Sequence, residues 1–227
     1  MKLLIIYFIS FLSVHAFEVD VEVFEKGDYK VFKAKASAIF DASSDEVISG
    51  IINFDDKCNN QKRSKRKMMK WENTCKFHNE NLVEAVKIKN YKKNIVAKKY
   101  PGALFLLWRN INNNGKYSHY DVVVRKDNEE ESEISHQMLT ESEVNKFIPK
   151  NERTVSAFNE LKGTYKIRKL DGKRTQVVYY YESETDHWFL KRDFIENKVK
   201  TKIENGTLQA LKTIQESLDK KRNKSEI

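Results

Sequence analysis

The sequence predicts an α+β fold, a curved antiparallel sheet wrapped around one long C-terminal helix. Three observations predict it. Residues 163–170 and 173–182 are strand-like runs on either side of Asp171-Gly172. A type I′ turn, which needs positive φ at both central positions, is expected there. From Asp193 to about Leu218 the chain runs without proline and carries apolar residues at helical spacing. Upstream, alternating segments follow one another across short polar turns, the pattern of an antiparallel meander. A hairpin that leads into a long amphipathic helix suggests a sheet gripping that helix. Such an arrangement can hold an apolar cavity between the two.

Taken in order, residues 1–16 read as a secretory signal. Lys2 supplies the basic start, Leu3 to Val14 is almost unbroken apolar sequence, and Val14-His15-Ala16 ends on a small residue. The run falls short of the roughly 20 residues that a spanning helix needs. Residues 17–227 are then expected to form a single exported domain, periplasmic or secreted. Residues 29–41 alternate, with Phe32, Ala34, Ala36, Ala38 and Phe40 on one face, and the small residues mid-strand leave space above the sheet. Ser43-Ser44-Asp45-Glu46 supplies an N-cap and an acidic first turn for a helix through Val47, Ile48, Ile51, Ile52 and Phe54. Strands are expected at 82–89, 94–100, 104–111, 116–126 and 133–140, with turns near Asn90-Tyr91, at Asn112-Asn-Asn-Gly115 and at 127–131. A short helix is expected at 141–147. On the last helix, Ile195, Val199, Ile203, Gly206, Ala210 and Ile214 recur at steps of three and four. A glycine in mid-helix costs about 1 kcal/mol relative to alanine. Gly206 therefore calls for a reason, either close approach to the sheet or room for a bound molecule.

Composition sets the class of partner. The net charge of +9 favours polyanionic surfaces, and export favours membrane lipids over nucleic acid. Lys62, Arg63, Lys65, Arg66 and Lys67, with Trp71 close by, read as an interfacial patch for an anionic membrane or as a solvated helix face. Cys58 and Cys75 are the only cysteines, and in an oxidising compartment an even pair reads as a disulfide. Nothing in the sequence speaks to oligomeric state.

Two segments carry a family resemblance. Ser118-His-Tyr-Asp-Val-Val-Val124 resembles the S-x-R-D-x-V strand of START-like proteins, with Tyr120 in place of arginine. Gly163-Thr-Tyr-Lys-Ile and Asp171-Gly-Lys-Arg-Thr-Gln-Val-Val-Tyr179 resemble the hairpin of the same superfamily, with Tyr165 in place of tryptophan. That superfamily also includes the polyketide cyclase and birch-pollen-allergen groups. The resemblance implies a helix-grip fold and a hydrophobic tunnel that holds a lipid or another hydrophobic small molecule. By strand alternation its lining is expected to include Tyr165, Ile167, Val177, Tyr179, Tyr181, Ile134, His136 and Met138, with Ile203, Gly206 and Ala210 from the helix. Filling of a solid core is the competing reading.

Catalytic signatures are scarce. The sequence has no Gly-x-Ser-x-Gly elbow, phosphate-binding glycine loop or cofactor fingerprint, and no cofactor is expected. The histidines lack the close spacing of a zinc-enzyme helix, and no metal is expected. His119 and Asp121 lie two apart on a strand, share a face, and form a candidate acid–base pair, with His136 as a further candidate. The first expectation is a hydrophobic-ligand carrier. A cyclase- or hydrolase-type enzyme using the same cavity is the second, and a protein-interaction module with a filled core is the third.

Overall fold

The computed structural model describes residues 17–52, 74–76, 82–88, 95–110, 117–148, 150 and 153–225. Residues 1–16, expected as an export signal, together with Cys58, the basic stretch 62–71, Phe54, His78 and the turns at 90–91 and 112–115, lie outside the described residues. So does the pairing of Cys58 with Cys75, the latter contributing its backbone to a strand.

The chain runs β1 (Glu18–Lys26), β2 (Tyr29–Phe40), α1 (Ser44–Ile52), β3 (Thr74–Lys76), β4 (Leu82–Lys87), α2 (Ile95–Lys99), β5 (Ala103–Asn110), β6 (Ser118–Asp127), β7 (Glu131–Met138), α3 (Glu141–Phe147), β8 (Glu160–Lys169), β9 (Thr175–Thr185) and α4 (Asp193–Ser225). Among the described residues the strands form one antiparallel sheet in the order β1-β2-β9-β8-β7-β6-β5-β4-β3. Consecutive strands pair as hairpins; the exception is β2, which takes β9 as its second neighbour and so brings the two ends of the chain together. No helix among the described residues is long and apolar enough to cross a membrane.

Strand alternation sends two sets of side chains to opposite faces. On the inner face Ala36, Ala38, Phe40, Leu107, Val123, Ile134, Ile167, Val177 and Tyr179 join Val47 and Ile48 of α1 and Leu211, Ile214 and Leu218 of α4 in one buried cluster. The outer face carries Leu106, Tyr120, Val122 and Val124, covered by α2 and α3 through Val96, Ala97, Phe147 and Ile148. At 33 residues α4 is about 50 Å long. It crosses the inner face over β2, β1 and β9 and packs along α1. The α1–α4 approach is close at Gly50, where a Cβ would lie 3.5 Å from both Ile214 Cγ2 and Ser217 Cβ.

Local chemistry explains the ends of these elements. Ser43 caps α1 reciprocally: its N–H and hydroxyl donate to Glu46 Oε2 at 2.9 and 2.7 Å. Thr140 does the same for α3 with Glu143, whose carboxylate also accepts from Lys99 Nζ and Tyr100 Oη, both at 2.5 Å. Burial pushes the Glu143 pKa upward, but these donors outweigh it and hold the group at about 2.

Four sequence expectations need correction. Residues 94–100 were expected as a strand, and Ile95–Lys99 is a helical turn that buries Val96 and Ala97 on the outer face. Tyr100 N–H still closes a helical bond to Val96 O at 2.8 Å, and then Pro101 and Gly102, the latter at φ +81°, end the turn. The strand β1 was missed, although Val19, Val21 and Val23 alternate and pair with β2 across a turn in which Gly27 takes φ +60°. The hairpin between β8 and β9 is not a type I′ turn. Its last pair is Lys169 with Thr175, which leaves a five-residue loop, and Gly172 is not in the left-handed region. Asp171 organises that loop by accepting the N–H groups of Lys173 and Arg174 on Oδ1, both at 2.8 Å. Finally, Gly206 faces outward, with nothing within 4 Å of an added Cβ. The buried stripe of α4 steps by four from Ile203 to Thr207 and Leu211, so neither explanation offered for the glycine holds.

Candidate functional site

The densest polar cluster of the inner face lies where β5, β6 and β7 run side by side; elsewhere that face buries Lys30 of β2 and Thr175, Ser183 and Thr185 of β9. Register sets Arg109 opposite His119 and Leu107 opposite Asp121 across β5–β6. It sets Met138 opposite Asp121, and His136 opposite Val123, across β6–β7. Arg109 and His136 are therefore diagonal neighbours of Asp121 on either side, within reach of long side chains. Arg109 Nε lies 2.9 Å from Asp121 Oδ2, His119 Nε2 lies 3.2 Å from Oδ1, and His136 Nδ1 lies 3.7 Å from Oδ2. The Asp121 side chain is wholly buried at 0% exposure.

The cluster extends through His136 into β9, where His136 Nε2 and Tyr179 Oη are 2.8 Å apart. Gly163 of β8, which pairs with His136, makes this contact possible. Any Cβ there would collide with the His136 ring and with Tyr179 Oη. Tyr179 also stacks on its cross-strand partner Tyr165, with ring centroids 4.4 Å apart. On the far side Tyr179 and Tyr181 face Ala36 and Ala34 of β2, whose small side chains leave the rings room.

Electrostatics assigns the protonation states. Burial pushes the Asp121 carboxyl upward, but His119, His136 and Arg109 outweigh it, holding the group far below the ordinary carboxylate range and ionised. Burial pushes His136 below the ordinary histidine value, only partly offset by Asp121, so it is neutral at pH 7. With its proton on the Nδ1 that faces Asp121, His136 Nε2 accepts from Tyr179 Oη. Burial also raises Tyr179 well above 10 and pushes Tyr165 and Tyr181 up to about 12, so all three phenols keep their protons. The result is a carboxylate, an imidazole and a phenol in a row beside a guanidinium, with a hydrogen bond between His136 and Tyr179 and a 3.7 Å gap between His136 and Asp121. It offers polar partners to a bound group.

This cluster is not satisfied internally. Among the described residues both Asp121 oxygens, both His119 nitrogens and His136 Nδ1 are sealed from solvent, and none makes a hydrogen bond of good geometry. Charges at ion-pair distance compensate part of the desolvation, yet unmade bonds of this kind cost roughly 1–3 kcal/mol each. Around them, Tyr165, Tyr181 and Arg109 are only half-buried although they project from the inner face. Among the described residues no group of three or more His, Cys, Asp or Glu side chains is arranged to hold a metal ion. An open recess of about 780 Å³ lies elsewhere, between the start of α1 and the β8–β9 loop.

The structure brings together much of what the sequence singled out. Tyr165, Ile167, Val177, Tyr179, Tyr181, Ile134, His136 and Met138 all project from the inner face, and Ile203 and Ala210 approach it from α4. His119 and Asp121 do meet. Gly206 stands apart from these, on the solvent side. Sequence reasoning missed Arg109. Its signal was a cation in the inward phase of Phe105, Leu107 and Arg109, where the alternation calls for an apolar residue.

Solved structures that match this architecture include two human proteins. Human StAR-related lipid transfer protein 5 superposes with a TM-score of 0.52 at 11% identity, covering 89% of this chain and 88% of its own. Human STARD10 gives 0.50 at 10% identity, covering 91% and 76%. The chain has the START-like helix-grip fold. No protein-family model matches the sequence, and the search of curated proteins finds no match. The likeness is thus one of fold, carried by the sheet and α4.

Proposed function

We propose that this protein binds and carries a lipid or another hydrophobic molecule between the sheet and α4, with the polar end of the ligand held by Arg109, His119, Asp121, His136 and Tyr179. The observation that carries this reading is the buried, incompletely bonded polar cluster within a largely apolar face. Ligand sites combine apolar walls with a few convergent polar groups in this way. The cluster offers an acceptor in Asp121 and donors in Arg109 and the histidines, which suits an uncharged head group with a hydroxyl. A buried carboxylate opposes an anionic head group. The name of the similar lipid transfer protein supports the ligand class. The reading includes export, on the strength of residues 1–16, and contact of the basic stretch 62–71 with anionic headgroups during loading.

Native mass spectrometry of the purified protein tests it. A co-purified mass in the lipid range is expected, and it should be lost from folded Asp121→Asn and Arg109→Met variants. A polypeptide-only mass, together with no uptake of labelled lipid from mixed vesicles, would refute the reading.

One observation favours a second reading. The Asp121–His136–Tyr179 chain has the order of a proton relay, which would serve an enzyme of the cyclase or hydrolase kind. Turnover of a candidate substrate, lost in His136→Ala while ligand binding persists, would favour that reading.

A further inference from the structure

Three large aromatic side chains stand in solvent between β9 and the first turn of α4. Trp188 and Phe194 are each 63% exposed and Phe189 is 41% exposed, while Ile195 next to them is buried. They are contiguous: Trp188 and Phe189 are 5.8 Å apart by ring centroid, and Phe189 and Phe194 are 6.5 Å apart. Arg192 lies over two of them, 4.5 Å from the Trp188 ring and 5.8 Å from Phe194.

Chain looseness does not account for this exposure. The segment is a bonded turn, with Leu190 and Lys191 N–H groups donating to His187 O and Arg192 N–H to Phe189 O. The buried ammonium of Lys30 pins the helix start, donating to Lys191 O at 3.0 Å and Glu196 Oε2 at 2.7 Å. The aromatics are thus presented on a rigid base, and leaving them in water costs what burial would recover.

We propose that Trp188, Phe189 and Phe194 insert into the surface of a lipid bilayer, with Arg192 at headgroup level. Several observations select a bilayer over a protein partner. Tryptophan beside a cation is the pairing favoured at the membrane–water interface. Of the acids beside the patch in sequence, Asp193 and Glu196 lie at 3.6 and 2.7 Å from Lys30 Nζ, which offsets their charge. Phe194, Lys198 and Lys202 follow at steps of four, all exposed, so cations continue the same face of α4 away from the aromatics. The chain's net charge of +9 suits anionic headgroups.

The position of the patch also fits. His187, directly before Trp188, bonds Tyr117 Oη through Nε2 at 3.1 Å, and Tyr117 precedes Ser118 and His119 at the start of β6. The patch therefore borders the same end of the sheet as the Asp121 cluster. In this respect the proposal rests on the carrier reading: it names the membrane-facing end through which an apolar ligand would pass.

Vesicle co-sedimentation of the full chain tests it, using phosphatidylcholine vesicles with and without phosphatidylglycerol. Replacing Trp188, Phe189 and Phe194 together by serine should weaken binding to both at least about tenfold, since exposed side chains are altered and the fold is not at risk. Circular dichroism confirms folding, and uptake of a soluble labelled lipid measures the ligand site separately. Lost vesicle binding with intact uptake supports the patch. Unchanged vesicle binding in the triple variant overturns it, whatever the uptake assay shows. Brominated acyl chains give a second readout: quenching of tryptophan fluorescence should fall in Trp188→Phe, and unaltered quenching would count against insertion.

Discussion

At Gly163 one missing side chain decides whether the inner-face cluster can exist. His136 and Tyr179 meet in the space that a Cβ would take, so a larger residue must displace one of them. Gly163→Val is expected to destabilise the protein by about 1–3 kcal/mol, in the range for overpacked interiors. It should also free Tyr179 from His136. Urea denaturation measures the first effect, and an unchanged midpoint would show that the pair moves aside at no cost. Asp121 is the counterpart in charge. Removing it leaves Arg109 and two imidazoles facing one another in a buried site, so Asp121→Leu should cost several kcal/mol. Asp121→Asn keeps the shape and should cost less.

Two helix ends depend on single buried charges, and their pH responses run in opposite directions. Glu143 caps α3 with its pKa lowered from 4.5 to about 2. A depressed carboxyl contributes stability above its unfolded value and loses it as pH falls, here between about 4.5 and 2, with roughly 3 kcal/mol at stake. Acid titration of the wild type should show this loss, and Glu143→Gln should flatten that limb. Lys30 is the mirror case: hydrogen bonding to Glu196 raises it above 10.5 against the opposing effect of burial. Its contribution is complete below 10.5 and disappears as pH climbs through the higher folded value. Lys30→Met should loosen the start of α4 without disturbing its far end. Hydrogen exchange that rises at residues 193–200 alone is the expected result, and uniform protection would contradict it.

For the whole molecule, α4 is the element that closes the fold. Leu211, Ile214 and Leu218 complete the inner cluster against α1 and the sheet, and β2 and β9 hold the two ends of the chain side by side. Truncation after Gly206 removes these three side chains and opens the core to water. The expected product keeps sheet-like far-UV circular dichroism, loses its near-UV signal and unfolds without a cooperative transition. A truncated chain with a sharp thermal transition would mean that the sheet and α1 suffice.

Local periodicity alone determined much of this protein. The alternation of 29–41 marks β2 and its small inward residues, the apolar repeat marks α4, and Ser43 with Glu46 marks the start of α1, because each signal lies within one element. Tertiary structure decided what depends on several. The five residues of α2 read equally as strand or helix until Val96 and Ala97 find the outer face, since runs this short carry no period of their own. Asp171-Gly172 looked like a tight turn, yet the pairing of Lys169 with Thr175 and the Asx bonds of Asp171 fixed a longer loop. The Asp121 cluster draws Arg109, His119 and His136 from three strands and needs an empty space at Gly163 on a fourth. Their meeting depends on strand register, and a shift of one residue would send any of them to the opposite face.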